Sequence, residues 1–389
     1  MKNEAVKSEA GFLSANIIIS IVVLYLVSVT MIYLVTKSFN LVIMQTLWYI
    51  VGSVGIAIIR LFDTKLIEKY AIWLYFGGIL SLVAVLLFGS NINGAQRWLK
   101  FGPVSLQTSE FMKIFYVLFL AHVIAKHRQT KQRASDILLI GKVLGVLIIP
   151  LIFILKQPDL GTAIVFIIIT CGMLFIGGIS KKIIALAILI GGTILGLFAY
   201  LVIFNRGLLL KIGFENYQFK RIDTWFDGSA VDADSAFNVE QAVKAIGSGG
   251  YFGNGFESQV YVPERHTDFI FSMIGETTGM IGCAILIIVY FFLMYYLIRT
   301  CFMTKTLYHT YVISGILILM SFHMFQNIAM NIGLMPVTGI PLPFISYGGS
   351  SILANMLSLG IVLAIQKNHY ESVFGKKRQY EEMATNFEE

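Results

Sequence analysis

Ten runs of about twenty predominantly apolar residues, parted by short polar breaks, govern what this chain can become. They fall at 13–36, 41–60, 70–89, 107–125, 138–155, 160–178, 183–204, 269–297, 308–333 and 349–366. A helix needs about 20 such residues to cross the roughly 30 Å hydrocarbon layer of a bilayer. The expected fold is therefore an all-α polytopic membrane protein of about ten transmembrane helices, one integral membrane domain over 1–389. The 51 charged residues among 389 (29 basic, 22 acidic) are too few to cover a soluble globule of this size. The run after the polar stretch Met1–Ala10 is too long for a cleaved signal peptide and reads as a retained first span.

Basic residues sort the breaks into two sides. Lys2, Lys7, Arg60, Lys65, Lys69, Lys126, Arg128, Lys142, Lys181, Lys182, Arg299, Lys305, Lys367 and Lys376–Arg378 lie on one side. The short breaks of the other side hold only Lys37, Arg97, Lys100 and Lys156. By the positive-inside rule the first side, with both termini, is cytoplasmic. The net charge of +7 is thus a topology signal and not the mark of a nucleic-acid partner. Cys171, Cys283 and Cys301 lack metal-ligand spacing and read as packing residues.

The structural irregularity lies on the outer side. Asn91–Leu106 is short and polar and carries Asn93-Gly94-Ala95-Gln96-Arg97-Trp98. The loop at about 205–268 holds nine of the 22 acids and two glycine-rich pieces, Gly247-Ser248-Gly249-Gly250 and Gly253-Asn254-Gly255. Its aromatic residues argue against disorder, and an amphipathic helix is expected around Asn238–Ile246. After the ninth run, three prolines and three glycines within 336–349 forbid continuous helix in a mostly apolar stretch. Irregular backbone at membrane depth survives only where protein buries it or a cavity receives it.

Charges inside spans cost roughly 2.5–3.5 kcal/mol at a helix centre, so each one is a functional hypothesis. Glu110 and Lys113, three residues apart at the start of the fourth run, share a face and can pair; a pair that only fixes a helix contact is the alternative. Asp159 stands where capping of the sixth run explains it. Asp268 follows Pro263-Glu264-Arg265-His266-Thr267 at the mouth of the eighth run, with Glu276 two turns deeper. Capping competes there too, but four polar or ionisable residues within six positions favour function. His266 and Asp268 without a third ligand make a weak metal site. His122, His127, His309, His323 and His369 receive no chemical role.

Asn93–Trp98, Gln107–Lys113, Gln157–Thr162, Asn238–Gly250, Pro263–Phe271 and Gly339–Ser351 resemble, in that order, the signature stretches of the SEDS family, the RodA, FtsW and SpoVE proteins of bacterial cell-wall synthesis. The likeness covers nearly the whole chain. Asn238-Val239, Ala245–Gly250, Arg265 before His266 and Pro341–Phe344 are more similar to the elongation (RodA) branch than to the division branch. It departs from the family at Val260, where relatives often carry an acid, at Thr277 after Glu276, and at Thr108 after Gln107.

The resemblance implies a peptidoglycan glycosyltransferase that polymerises lipid II on the outer face of the cytoplasmic membrane, for wall elongation and cell shape. It implies Asp268 as the essential carboxylate, with Trp98, Glu110 and Lys113 at needed positions. It also implies a class B penicillin-binding protein as the transpeptidase partner. The donor sugar leaves on a lipid diphosphate, a good leaving group, so the inverting transfer needs one general base and cations, without a second carboxylic acid. Asp268 suits the base. Arg97, Lys113, Arg221 and Arg265 suit the diphosphate, with His266, Ser346 and Tyr347 beside them and Trp98 placed to stack on a sugar. A divalent cation (Mg2+ or Mn2+) bridging the phosphates suits the chemistry, although no motif fixes a metal site. The rival readings are a lipid II flippase, a division or sporulation member of the same family, and a scaffold that only recruits an enzyme.

Overall fold

The computed structural model describes residues 2–92, 95–102, 104–130, 135–212, 219, 223, 233–255 and 260–385. The expected runs become α1 (Lys2–Thr36), α2 (Phe39–Ile59), α3 (Thr64–Phe88), α4 (Thr108–Gln129), α5 (Asp136–Lys156), α6 (Leu160–Ile176) and α7 (Lys181–Phe204). A short α8 (Arg206–Ile212) and an amphipathic α9 (Ala233–Ser248) follow in the long loop, then α10 (Ile270–Met303), α11 (Leu307–Asn331) and α12 (Gly349–Thr385). Among the described residues nine helices are long and apolar enough to cross a membrane; α6, with 17 residues, is a shorter apolar tenth. The chain is a multi-pass membrane protein. α4, α11 and α12 hold the centre, whereas α7 is the least buried span.

The stretch read as a short polar break is instead a three-stranded antiparallel sheet of β1 (Ser90–Ile92), β2 (Ala95–Phe101) and β3 (Val104–Gln107). Trp98 pairs with Gln107, and Phe101 with Val104. The signal was present in the sequence: an Asn-Gly pair between short runs is a strong hairpin mark. The sheet sits at the N-terminal entry of α4, which Gln107 precedes as N-cap.

Pro150 lies inside α5, where the missing N–H should orphan the carbonyl of Val146 one turn earlier. The Tyr75 hydroxyl of α3 donates to that carbonyl at 2.8 Å. Tyr75 is buried, so the phenol replaces the lost helix bond where no water reaches it. Tyr75→Phe is expected to cost about 1–3 kcal/mol, the penalty of an unsatisfied buried acceptor. In a Pro150→Ala background the cost should largely vanish, because residue 150 then donates to Val146 itself. A thermal-melting double-mutant cycle measures the coupling; equal costs in both backgrounds would refute this account.

The glycine-rich pieces of the long loop seat backbone on backbone. α10 runs 34 residues, about 51 Å at 1.5 Å each, well beyond a bilayer core. It breaks at Gly279, whose φ is 67°. The 250–255 turn docks at the break. Asn254 N–H donates to the Glu276 carbonyl at 2.8 Å and Gly255 N–H to Thr277 at 3.1 Å. In return Met280 N–H reaches Gly250 at 2.9 Å and Ile281 N–H reaches Tyr251 at 3.2 Å. A Cβ on Gly249 would stand 2.0 Å from the Gly275 carbonyl, so only glycine permits the approach.

Candidate functional site

The irregular 336–349 segment lies inside the helix bundle, and helices on its flanks satisfy its carbonyls one by one. Asn327 Nδ2 donates to Ile340 O at 2.9 Å, and Ser28 Oγ to Ile345 O at 2.7 Å. The Tyr290 and Tyr49 hydroxyls bond the carbonyls of Pro343 and Phe344. Gln45 Nε2 donates to Ser346 O at 3.2 Å and to Ser28 Oγ at 2.9 Å. Polar side chains that look unremarkable in α1, α2 and α10 thus have one task. They let a proline-broken chain persist at depth, where an unpaired carbonyl costs several kcal/mol.

That segment fixes the loop carrying Asp268. Ser346 Oγ donates to the Thr267 carbonyl at 2.7 Å while accepting Leu342 N–H at 2.8 Å. Tyr347 N–H donates to the His266 carbonyl at 2.9 Å, and the two rings lie 5.8 Å apart. Asn327 and Asn331 both donate to the Asp268 carbonyl, at 2.9 and 3.1 Å. The cap position of α10 is Phe269, and the Ser272 N–H is taken by Asn331 Oδ1 at 3.1 Å. Helix capping is thus carried by Asn331 of another helix. The Asp268 carboxylate is half-buried and faces Gly339, with Oδ2 3.6 Å from the place of a Cβ there.

Burial holds the His266 imidazole below its ordinary range; Glu264 opposes that shift and Arg265 adds to it. At neutral pH His266 is therefore uncharged and offers a ring and a hydrogen bond. Fixed positive charge here belongs to Arg265, which is half-buried and makes no hydrogen bond or ion pair among the described residues. Burial likewise raises the Tyr347 phenol, keeping it protonated as a donor. Deeper in, Glu276 is fully buried and accepts the Val260 N–H at 2.9 Å, tying the returning loop to α10.

Lys113 and Glu110 are both buried, with Nζ 2.8 Å from Oε1. Lys113 Nζ also lies 3.2 Å from Nε2 of His323 on α11. An ammonium has only donors, so Nε2 accepts and the ring proton sits on Nδ1. His323 is a site residue that sequence reading passed over: a lone histidine in an apolar run carries no spacing signal. Its position matters because His323, Asn327 and Asn331 stand four residues apart on one face of α11. Over about 12 Å this polar edge joins the Glu110–Lys113 pair to the carbonyl of Asp268.

Other expected residues take different stations. Arg97 Nε donates to Gln157 O at 3.0 Å, its guanidinium also bonds Pro158 O, and it pairs with Asp159 at 3.5 Å. Asp159 in turn caps α6, accepting Thr162 N–H at 3.2 Å and Thr162 Oγ1 at 3.0 Å. Arg97 therefore anchors the sheet to α6. Trp98 is half-buried on β2, opposite Gln107, whose N–H donates to Ser350 Oγ at 2.9 Å. Arg221 lies outside the described residues. Thr108 Oγ1, Ser109 Oγ and Thr338 Oγ1 are buried without hydrogen-bond partners among the described residues. No cluster of three or more His, Cys, Asp or Glu among those residues is arranged to hold a metal.

The family profile of FtsW/RodA/SpoVE cell cycle proteins matches residues 9–371. The chain is 31% identical over 319 residues to the peptidoglycan glycosyltransferase MrdB of Escherichia coli K12, covering 81% of this chain and 82% of that one. It is 32% identical over 312 residues to a probable peptidoglycan glycosyltransferase FtsW of Allochromatium vinosum, covering 77% and 73%. Among solved structures it is similar to one chain of a peptidoglycan synthase complex that coordinates polymerization and crosslinking (TM-score 0.76, 23% identity, 91% and 98% covered). It is also similar to the rod shape determining protein RodA of Thermus thermophilus (TM-score 0.67, 24% identity, 91% and 96% covered).

Proposed function

The chain belongs to the FtsW/RodA/SpoVE family of cell cycle proteins and is a peptidoglycan glycosyltransferase, and from that premise we propose that it polymerises lipid II at the outer face of the cytoplasmic membrane, with Asp268 as general base. The observation that carries the reading is the Asp268 loop. Its backbone is fixed by Ser346, Tyr347, Asn327 and Asn331, while its carboxylate faces Gly339, three residues along the same loop from Arg265.

The chemistry runs in one displacement. Asp268 takes the proton of the acceptor C4 hydroxyl as that oxygen attacks the donor's anomeric carbon. The α-bond to the diphosphate breaks, its electrons leave with undecaprenyl diphosphate, and a β-linkage forms. Arg265 balances the departing charge, a role for which Arg221 is a second candidate by residue type; the ammonium of Lys113 holds the adjoining polar edge. Trp98 offers a sugar-stacking face. The unpartnered hydroxyls of Thr108, Ser109 and Thr338 are donors that a polar substrate would satisfy. A divalent cation (Mg2+ or Mn2+) would enter with the substrate's phosphates, since the described residues offer no cage for it.

Motif similarity favours the elongation branch, and the partner proposed from the family resemblance is a class B penicillin-binding protein. The basic side, with both termini, faces the cytoplasm. Purified protein in vesicles with labelled lipid II tests the reading. Glycan polymer is expected; translocation without polymer would establish the flippase instead, and neither would leave a scaffold.

A further inference from the structure

At the ends of the helices remote from Asp268, α2 and α10 finish, α3 and α11 begin, and the apolar part of α12 closes at His369. Between them opens a cavity of about 480 Å³, within the range of sites that take small ligands. Lys65, Lys305 and Lys367 line it, with His309, His369 and Asn368. Two acids also line it, Asp63 and Glu68, against the three lysines. Asp63 Oδ1 accepts Lys65 N–H at 2.9 Å, capping α3, and takes Asn368 Nδ2 at 3.5 Å. Glu68 Oε1 lies 3.6 Å from His122 Nδ1.

Lys367 donates to the Arg60 carbonyl at 3.1 Å. Lys65 and Lys305 are exposed, and their ammonium groups have no hydrogen bond or ion pair among the described residues. The N-terminal turns of α3 and α11 both border the cavity and add partial positive charge. The lining is thus electropositive, and it is assembled from three stretches distant in sequence.

We propose that this cavity binds a phosphate group, supplied by the headgroup of an anionic phospholipid in the adjacent leaflet. Its level argues for the lipid source: it lies where the apolar spans end. Leu61 lines it at 79% exposure, with Phe62 next in sequence and Phe302 on the last turn of α10, at 51% and 84%. Basic pockets between transmembrane helices at this depth recognise phosphate headgroups while acyl chains cover the apolar rim.

The test is thermal unfolding of the full chain in neutral detergent doped with phosphatidylglycerol, with phosphatidylcholine, or with inorganic phosphate alone. Phosphatidylglycerol is expected to raise the melting temperature by about 3 °C or more, and phosphatidylcholine to leave it unchanged. In the Lys65→Gln/Lys305→Gln variant that rise should fall by at least about half, measured from the variant's own lipid-free baseline. A single Lys305→Gln variant provides the same reading should the double variant express poorly. If inorganic phosphate reproduces the full rise, the site stands but its ligand is a soluble phosphate. No rise with any probe, or equal rises in wild type and variants, overturns the proposal.

Discussion

Asp268→Asn should abolish polymerisation of lipid II while leaving the protein folded and in the membrane. The substitution keeps the side-chain shape and removes only basicity. The bonds from Ser346, Tyr347, Asn327 and Asn331 reach the backbone carbonyls of residues 266, 267 and 268, which the substitution leaves in place. The melting temperature should therefore stay within about a degree of wild type, with polymer formation falling about 10²–10⁴-fold, the usual contribution of a general base. Asn327→Ala is the informative companion. It retains the carboxylate but frees the Ile340 carbonyl and leaves that of Asp268 to Asn331 alone, so an intermediate loss is expected. Polymerisation by Asp268→Asn within about threefold of wild type would remove Asp268 from the mechanism.

The second large effect is expected at Glu110. Its carboxylate pairs with an ammonium that is itself buried, so Glu110→Gln leaves Lys113 with His323 as its remaining described partner. Breaking one side of a buried pair costs about 3–5 kcal/mol, mostly the penalty of the stranded charge. Low yield and a depressed melting temperature should follow. Glu110→Gln alone cannot separate folding from function, but Glu110→Gln/Lys113→Met can. Removing both charges relieves the stranded ammonium, and stability should return to near wild type or above it. Activity should stay lost, because the double variant has no cation at the end of the α11 polar edge. A stable and fully active double variant would show that the pair only fastens α4 to α11.

The spans were legible because the bilayer imposes one length on every apolar run, and each expected run became a helix. What stayed hidden depends on pairings distant in sequence. Pro150 announces an orphaned carbonyl, but nothing in the sequence names Tyr75, 71 residues away, as its donor. His323 lacks any local pattern, and its role appears only when α11 is laid against α4. The strands at 90–107 were missed for the opposite reason: their Asn-Gly mark is local, but in a chain dominated by helical runs it was read as a break. Asp268 was found from its crowded polar neighbourhood. The four residues that hold its loop were split: Ser346 and Tyr347 were singled out by motif, whereas Asn327 and Asn331 look like ordinary polar positions in a span.

The way the 336–349 carbonyls are satisfied sets an order of assembly. The donors Ser28, Gln45 and Tyr49 enter the bilayer early, about three hundred residues before the acceptors they serve, and Tyr290 precedes its own by 53. Until the last loop is made, these side chains must find temporary partners among water, headgroups or one another. The Asp268 loop cannot settle before the C-terminal segment arrives, since Ser346 and Tyr347 hold it. A chain stalled or cut before residue 336 is therefore both inactive and marked by stranded polar groups at depth, the kind of surface that membrane quality control can recognise. Completion of synthesis and completion of the proposed site become one event.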